Sequence, residues 1–296
     1  MTNISITVGD KTIKKMEYFY KDNFITNNNQ HALFIAKTNN CTITVFKSNK
    51  VLFQGNNAEE EVLIWQKINT ENMKEKKNTN YYLVSIGSDE VGTGDYFGPV
   101  VVCSAYLKKD NISLIKEYKI NDSKKLTDSY IKEIAPILFK NIPYSILVVN
   151  NKKYNEVINN KDMNLNKLKA ILHKQAICNL LERYPNQIPI ILDQFCSISN
   201  FNKYINDNKF SNQITFYTKA ESKLASVAVA SIMARYKFLI EFEKLSKKLN
   251  TKLLKGASSK VDEQGIILVN KYGKNILNKI AKLHFKNTKK ILNKIE

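Results

Sequence analysis

The sequence predicts an α/β protein, a mixed five-stranded sheet with flanking helices, preceded by a small α+β module. The first observation is a set of five strand-like runs, which lie at 82–87, 99–107, 145–150, 188–193 and 214–218. The second is their order, because the first two runs are adjacent and the later ones alternate with helical patterns at 129–141 and 165–183. This order indicates a mixed sheet covered by helices. The third is a polar stretch that divides the 296 residues into two parts.

The leading part, residues 1–76, is predicted to be a separate domain. Apolar residues at helical spacing indicate a helix over Lys11–Phe24, and a second one over Ala58–Ile68 carries the only tryptophan, Trp65. Three strand-like runs lie between them, at Ala32–Ala36, Thr42–Phe46 and Val51–Phe53. Residues 69–80 are polar and charged and are predicted to form a linker, whose last part is 77–80. The second domain is then 81–296.

Charge is the main compositional signal. The chain has 46 Lys+Arg against 27 Asp+Glu, a formal net charge of +19. Such an excess predicts an acidic polymer partner, most simply nucleic acid. The alternative is a lysine- and asparagine-rich surface produced by AT-rich codon usage. The segment 244–296 is especially basic, which favours phosphate contact or a solvated helical surface.

The remaining composition argues against several classes of protein. The four cysteines are far apart and form no C-x-x-C pair, so neither disulfides nor a zinc site is expected. No apolar run is long enough to span a bilayer, and the start of the chain lacks the pattern of a signal peptide. The sequence therefore predicts a cytoplasmic location.

Two adjacent acids, Asp89 and Glu90, lie where a buried strand-like run meets a glycine-rich turn. Burying carboxylates is costly unless they are paired or hold a metal, and no Arg or Lys is adjacent in the sequence. The glycines, including Gly92 and Gly94, allow a close backbone approach to a ligand. We therefore interpret this stretch as a carboxylate metal site that faces a phosphate backbone.

Two further acids are candidates for the same site. Asp193 ends a buried strand-like run, and functional side chains gather at the carboxyl ends of strands in α/β sheets, although an Asx turn or a helix cap is the alternative. Glu221 lies at the start of a long helix, where an acid is also ordinary helix electrostatics. Together the four carboxylates suit Mg²⁺ or Mn²⁺. Because adjacent strand residues point to opposite faces, Asp89 and Glu90 can share a metal only if the strand ends or bends there.

Phosphate contacts and histidine chemistry are the remaining functional candidates. The segment 121–127 precedes a predicted helix, and Ser123 and Lys124 could hold phosphate there, or the segment could simply cap the helix. The histidines His31, His173 and His284 are scattered, and nothing around them indicates a nucleophilic triad.

A family resemblance rests on a set of motifs in a fixed order. They are Asp89-Glu90-Val91-Gly92-Thr93-Gly94-Asp95-Tyr96-Phe97-Gly98-Pro99, Asp122-Ser123-Lys124-Lys125-Leu126, Asp193, Lys219-Ala220-Glu221-Ser222-Lys223, Gly256-Ala257-Ser258-Ser259-Lys260-Val261-Asp262 and Lys282-Leu283-His284-Phe285-Lys286-Asn287-Thr288. The set resembles the type 2 ribonucleases H, and in particular ribonuclease HIII, the bacterial form. The resemblance covers the chain from about Tyr81 to its end.

The resemblance implies a ribonuclease H-like catalytic domain. It implies divalent-metal hydrolysis of the RNA strand of RNA/DNA hybrids, leaving 5′-phosphate and 3′-hydroxyl ends, with Mg²⁺ or Mn²⁺ held by Asp89, Glu90, Asp193 and Glu221. Two ions about 3.5–4 Å apart would be expected for such chemistry. The implied substrate-binding residues are Gly92, Thr93, Gly94, Ser123 and Lys124. The leading module is implied to resemble half of a TATA-binding protein and to grip the hybrid.

Thr93 separates this sequence from a close alternative. Ribonucleases HII carry Gly-Arg-Gly where this chain has Gly92-Thr93-Gly94, and that loop reads the 2′-hydroxyls near a single ribonucleotide in DNA. An HII-like enzyme acting at single ribonucleotides is therefore less favoured. Two further hypotheses are a non-catalytic nucleic-acid-binding protein on the same fold and a resolvase- or transposase-like nuclease. No protein partner is inferred, and a monomer is expected.

Overall fold

The computed structural model describes residues 2–120, 126–185 and 187–295, with the backbone alone described for 70–80. The contacts divide the chain into two compact units, Met1–Asn80 and Tyr81–Glu296. Each unit has its own hydrophobic core.

The first unit is a four-stranded antiparallel sheet covered by two helices. In chain order its elements are β1 (Thr2–Thr7), α1 (Asp10–Phe19), β2 (Ala32–Lys37), β3 (Cys41–Phe46), β4 (Lys50–Gly55) and α2 (Ala58–Tyr81). The strand order is β1-β4-β3-β2. Alternate residues of β3 and β4, such as Ile43 and Phe53, are fully buried and pack with Met16 and Trp65 from the two helices. The sheet and helices therefore close around a single core.

Two sequence predictions for this unit are wrong in part. The structure has four strands instead of three, because β1 precedes the first predicted helix and pairs with β4 through contacts such as Ile4 with Phe53. Alternation of Ile4 and Ile6 with polar residues is the strand pattern that could have revealed it. The predicted helix also ends early, at Phe19, and a short 3₁₀ turn at Lys21–Asn23 follows.

The predicted linker is helical. The helix expected to end at Ile68 continues as α2 to Tyr81, through the whole of residues 69–80. The sequence from Ala58 to Tyr81 contains neither glycine nor proline and is rich in Glu and Lys, which are strong helix formers. The polarity of residues 69–80 therefore suggested a linker, but nothing in that sequence ends a helix.

The second unit has the predicted mixed sheet. Its strands are β5 (Ser85–Val91), β6 (Val100–Leu107), β7 (Tyr144–Val149), β8 (Ile190–Asp193) and β9 (Ile214–Tyr217). Its helices are α3 (Ile112–Glu117), α4 (Asp128–Asn141), α5 (Asn151–Ile158), α6 (Leu165–Arg183), α7 (Ile198–Ile205), α8 (Asn208–Ser211), α9 (Ala225–Lys248), α10 (Ser259–Tyr272), α11 (Ile276–Ile280) and α12 (Lys286–Leu292). The strand order is β7-β6-β5-β8-β9. The pairs β5–β6 and β6–β7 are antiparallel, whereas β5–β8 and β8–β9 are parallel. The predicted fold class is thus confirmed.

The central strand β5 lies between two helices. On one face it meets α9, whose buried alanines let the two backbones approach closely. A Cβ atom added at Gly87 would lie 2.3 Å from backbone atoms of Ser226 and Val227, so only glycine fits there. On the other face, Ile86 packs with Ala170 and Ile177 of α6. The strand that carries the two adjacent acids is therefore held from both sides.

Within the part of the chain that the structure describes, no helix is both long enough and apolar enough to cross a membrane.

Candidate active site

The strand β5 sends Asp89 and Glu90 to opposite faces. The sequence suggested that the strand meets a turn at these acids, but β5 continues through both to Val91 and stays paired with β6, where Glu90 faces Val102. The residues Ser85, Gly87 and Asp89 therefore share the face toward α9, and Ile86, Ser88 and Glu90 share the face toward α6. The contact between the Ser85 and Ser226 hydroxyls (2.8 Å) marks the first of these faces.

The Asp89 carboxylate is partly buried and is acted on by the charges of two other acids, Glu90 and Glu221. One of its oxygens accepts a hydrogen bond of 2.9 Å from the Glu90 backbone N–H, and Ser231 of α9 also hydrogen-bonds to it. Burial and the negative charges of Glu90 and Glu221 raise the pKa of Asp89 to about 7. The ionised form of Asp89 is thus disfavoured by its neighbours, and a nearby cation would reverse that effect.

The Glu90 carboxylate has two cationic or polar partners on α6. Lys169 makes an ion pair with one oxygen, and Nε2 of His173 lies 2.9 Å from the other. Burial alone would raise the pKa of Glu90, but the contacts with His173 and Lys169 outweigh it and lower the pKa to about 2. The ammonium of Lys169 also lies 4.1 Å from the centre of the Phe195 ring. Glu90 is therefore ionised and held in place.

A buried hydrogen-bond chain fixes the ring of His173. Its Nδ1 lies 2.7 Å from the Ser88 hydroxyl, which is itself 2.8 Å from the hydroxyl of Ser104. The ring stacks on Phe195 with 5.5 Å between centroids. Because both ring nitrogens have partners, the histidine presents Nε2 to Glu90 in one orientation.

Asp193 lies at the end of the neighbouring parallel strand β8, and Glu221 lies in a short turn after β9. Asp193 directly follows Leu192, which pairs with Ser88, so Asp193 lies beside Asp89 at the carboxyl end of the sheet. Its Oδ1 accepts a hydrogen bond of 2.9 Å from the backbone N–H of Ala220. That contact holds the 3₁₀ turn Ala220–Ser222, which carries the buried Glu221.

The sheet thus places Asp89 and Asp193 on its α9 face, and Glu221 acts electrostatically on Asp89 there. Glu90 lies on the opposite face. Among residues 2–120, 126–185 and 187–295, no three His, Cys, Asp or Glu side chains are grouped closely enough to hold one ion together. The donors are nevertheless all carboxylate oxygens, and the mutual repulsion at Asp89 is what a divalent cation would relieve. The residues therefore fit Mg²⁺ or Mn²⁺.

The glycine-rich turn contains a buried glycine with positive φ, Gly92, and an exposed glycine with free space around it, Gly94. Gly92 is buried with φ +92°, and a Cβ there would lie 2.2 Å from the Pro99 carbonyl oxygen. Thr93 is half-buried, whereas Gly94 is exposed and a Cβ there would meet no heavy atom within 4 Å. Of the predicted substrate-binding residues, Thr93 and Gly94 are thus accessible and Gly92 shapes the turn. The predicted residues Ser123 and Lys124 lie outside the described residues.

Because Gly92 is buried with a positive φ and Gly94 is exposed, replacing each by alanine should change the stability of the protein by very different amounts. Gly92→Ala is expected to lower the free energy of unfolding by roughly 2–4 kcal/mol, because it combines a left-handed φ with a backbone clash. Gly94→Ala is expected to change it by less than about 0.5 kcal/mol. If the turn approaches the substrate closely, Gly94→Ala still weakens substrate binding. Denaturant unfolding and binding titrations of both variants check this, and a strongly destabilised Gly94→Ala protein would contradict the open position.

Sequence reasoning missed Lys169 and His173. The sequence favoured a structural role for His173, and Lys169 was not singled out. A usable signal was present, because a lysine and a histidine four residues apart share one face of a helix that is otherwise apolar there. The contact itself joins residues about eighty positions apart and could not be found from spacing.

Comparison with known families agrees with the geometry. A family profile described as Ribonuclease HII matches residues 86–288, and a second profile, described as a domain of unknown function, matches residues 3–78. The chain is 42% identical to the Ribonuclease HIII of Bacillus licheniformis, over 98% of this chain and 97% of that protein. It is also 42% identical to the Ribonuclease HIII of Phytoplasma mali, over 98% of both chains.

Solved structures show the same similarity. The crystal structure of Bst-RNase HIII in complex with Mn²⁺ superposes with a TM-score of 0.75 at 35% identity, covering 100% of this chain and 99% of that one. A ribonuclease H2 from Pyrococcus horikoshii, at 24% identity and a TM-score of 0.58, shares the fold over 71% of this chain and 97% of that one.

Proposed function

The chain belongs to the ribonuclease HIII branch of the ribonuclease HII family, and we propose that it is a divalent-metal endoribonuclease that cuts the RNA strand of RNA/DNA hybrids. The observation that carries the proposal is the register of β5 and β8, which places Asp89 and Asp193 side by side on the α9 face, where the charge of Glu221 acts on Asp89, while Glu90 lies on the opposite face. The products expected from this chemistry are a 5′-phosphate and a 3′-hydroxyl.

Each acid has a distinct task in this proposal. Asp89 would offer the ligand that a cation stabilises most, because burial and the charges of Glu90 and Glu221 otherwise oppose its ionised form. Asp193 would bind the ion, and the hydrogen bond that its Oδ1 accepts from the Ala220 N–H fixes the turn that carries Glu221. Glu90 is kept ionised by Lys169 and His173 and completes the set. Bound Mg²⁺ or Mn²⁺ supplies the positive charge that activates water and stabilises the leaving oxygen.

Hybrid recognition is proposed for the glycine-rich turn and the first unit. Thr93 and Gly94 are accessible beside the acids, and a backbone close to the RNA strand can sense its 2′-hydroxyls. Thr93 offers a short neutral hydroxyl where HII enzymes have an arginine, which favours continuous RNA over an isolated ribonucleotide. Ser123 and Lys124 are proposed as phosphate contacts on the sequence resemblance alone. We further propose that the protein acts as a monomer in the cytoplasm.

Cleavage of two labelled duplexes tests the function. One has a continuous RNA strand on DNA, and the other has one ribonucleotide within DNA, each with Mg²⁺, Mn²⁺ or EDTA. Metal-dependent cutting of the first alone is expected. Efficient cutting of the second would assign the chain an HII-like activity, and binding without cutting would make it a non-catalytic binding protein.

Removing the first unit tests its role in binding. The deletion should end at Asn80, the boundary between the units, since a cut at residue 76 would fall inside α2. We expect weaker hybrid binding and a shallower dependence of log Kd on log salt, by about 0.7–0.9 for each phosphate that the shortened protein no longer touches. Anisotropy titrations at several salt concentrations measure both. An unchanged slope would leave this unit without a part in phosphate binding.

A further inference from the structure

Lys282 is a lysine buried without measurable exposure, which is unusual for this residue type unless it is paired. Its ammonium donates hydrogen bonds to two backbone carbonyls, of Asp95 at 2.7 Å and of Gly98 at 2.6 Å. Both of these partners are uncharged carbonyl oxygens. Burial lowers the pKa of Lys282 to about 7, although the charge of Asp95 opposes that shift. A buried cation thus binds two carbonyls of one turn.

The backbone around Lys282 also forms hydrogen bonds with the same turn. Its own N–H donates to the Tyr96 carbonyl at 2.9 Å, the Gly98 N–H donates to Ile280 at 2.9 Å, and Phe97 and Ala281 form an antiparallel bridge. These contacts tie the segment 280–282, which links α11 and α12, to the segment 96–98. The Lys282 ammonium adds its two hydrogen bonds to these backbone contacts.

A second loop holds the opposite side of the turn. The backbone N–H of Gly256 donates to Oδ1 of Asp95 at 2.6 Å, and the Tyr96 N–H donates to the Gly256 carbonyl at 2.9 Å. Within the turn itself, the contact from the Asp95 N–H to the Gly92 carbonyl is long, at 3.4 Å. The turn therefore has little hydrogen bonding of its own, and its shape is set by these outside donors.

We propose that Lys282 is a positioning residue for hybrid recognition, because it fixes the turn that presents Thr93 and Gly94 to the substrate. The proposal rests on the proposed function of that turn. An apolar side chain of similar length would fill the same space without burying a charge, but it would leave the Asp95 carbonyl without its donor. Gly98 would keep one donor, since Nδ2 of Asn151 lies 2.8 Å from its carbonyl. The lysine therefore determines where the Asp95 end of the turn sits.

Lys282→Met in the full chain tests the assignment. We expect KM and Kd for an RNA/DNA hybrid to rise about tenfold while kcat changes by less than about threefold, because the catalytic acids are untouched. Mn²⁺ binding, followed by electron paramagnetic resonance, should be unchanged. Hydrogen–deuterium exchange of peptides covering 92–98 should become faster. Lys140→Met, an exposed lysine in the last turn of α4, is the matched control and should change none of these quantities.

Lys282→Gln separates the hydrogen bonds from the charge, since its amide keeps two N–H donors. It is expected to retain most of the hybrid affinity. If the Met variant does not fold, a folded Lys282→Gln variant that binds the hybrid about tenfold more weakly without faster exchange over 92–98 would overturn the proposal. Unchanged KM and unchanged exchange over 92–98 in folded Lys282→Met would overturn the proposal. So would a parallel worsening of KM, kcat, Mn²⁺ binding and thermal stability, which indicates general damage. Wild-type protein that neither binds nor cuts the hybrid would instead overturn the proposed function.

Discussion

Asp89→Asn is expected to reduce hybrid cleavage by at least about a thousandfold, since it removes a carboxylate proposed to hold the catalytic ion. Asparagine has nearly the same shape and can still accept the hydrogen bond from the Glu90 N–H. Hybrid binding should persist, because the turn and the basic surface are unchanged. Cleavage assays in Mg²⁺ and Mn²⁺, with anisotropy titrations of the uncut hybrid, measure the two effects separately.

Thermal unfolding of Asp89→Asn distinguishes lost chemistry from lost structure. Without metal, the variant should be at least as stable as the wild type, because it no longer has a carboxylate whose ionised form is opposed by burial and by the charges of Glu90 and Glu221. With Mn²⁺, the wild type should gain stability by ligand binding and the variant should gain less. Near-wild-type turnover would remove Asp89 from the active site. Low stability in EDTA would mean that the residue has a structural role.

Lys169→Met is expected to lower the free energy of unfolding by about 3 kcal/mol in EDTA. The lysine and Glu90 form an ion pair whose side chains are only 10% and 13% exposed, and removing one partner of a buried pair leaves the other uncompensated. His173 retains its contact with Glu90, which keeps the expected loss at the lower end of the range for such pairs. Denaturant unfolding at constant ionic strength measures this loss.

An exposed lysine–glutamate pair provides the matched control. Lys153 and Glu156 lie 3.6 Å apart with side chains 66% and 51% exposed, so Lys153→Met should cost less than about 0.5 kcal/mol. A clear difference between the two variants would show that α6 holds Glu90 through a buried charge. Equal, small losses would mean that water already screens the Glu90 pair.

The sequence predicted the second unit better than the first. All five predicted strands of the mixed sheet occur, because each was a compact β-branched or apolar run bounded by turns. In the first unit, β1 was missed although Ile4 and Ile6 alternate with polar residues. The helix α2 was cut short because a polar surface was taken as a sign of a linker. A polar composition does not by itself end a helix, and the sequence of α2 contains no glycine or proline that would do so.

The candidate site shows a different limit. The four acids could be singled out from motif and position, since three lie at or near the ends of strand-like runs and Glu221 precedes a long helix. The partners of Glu90 and the buried state of Lys282 could not, because these contacts join segments that are distant in sequence. Tertiary packing decides whether a lysine is solvated or buried, and the sequence around Lys282 does not distinguish it from the many other lysines of this chain.

The opposite orientation of Asp89 and Glu90 makes β5 a partition between two layers of the second unit. Ser231 acts on Asp89 from one layer and Lys169 acts on Glu90 from the other. The two positions lie on helices packed on opposite faces of the sheet, so their effects on stability should add except for what passes between the two adjacent carboxylates. A double-mutant cycle joining Ser231 and Lys169 would therefore measure the electrostatic coupling carried across a single peptide unit.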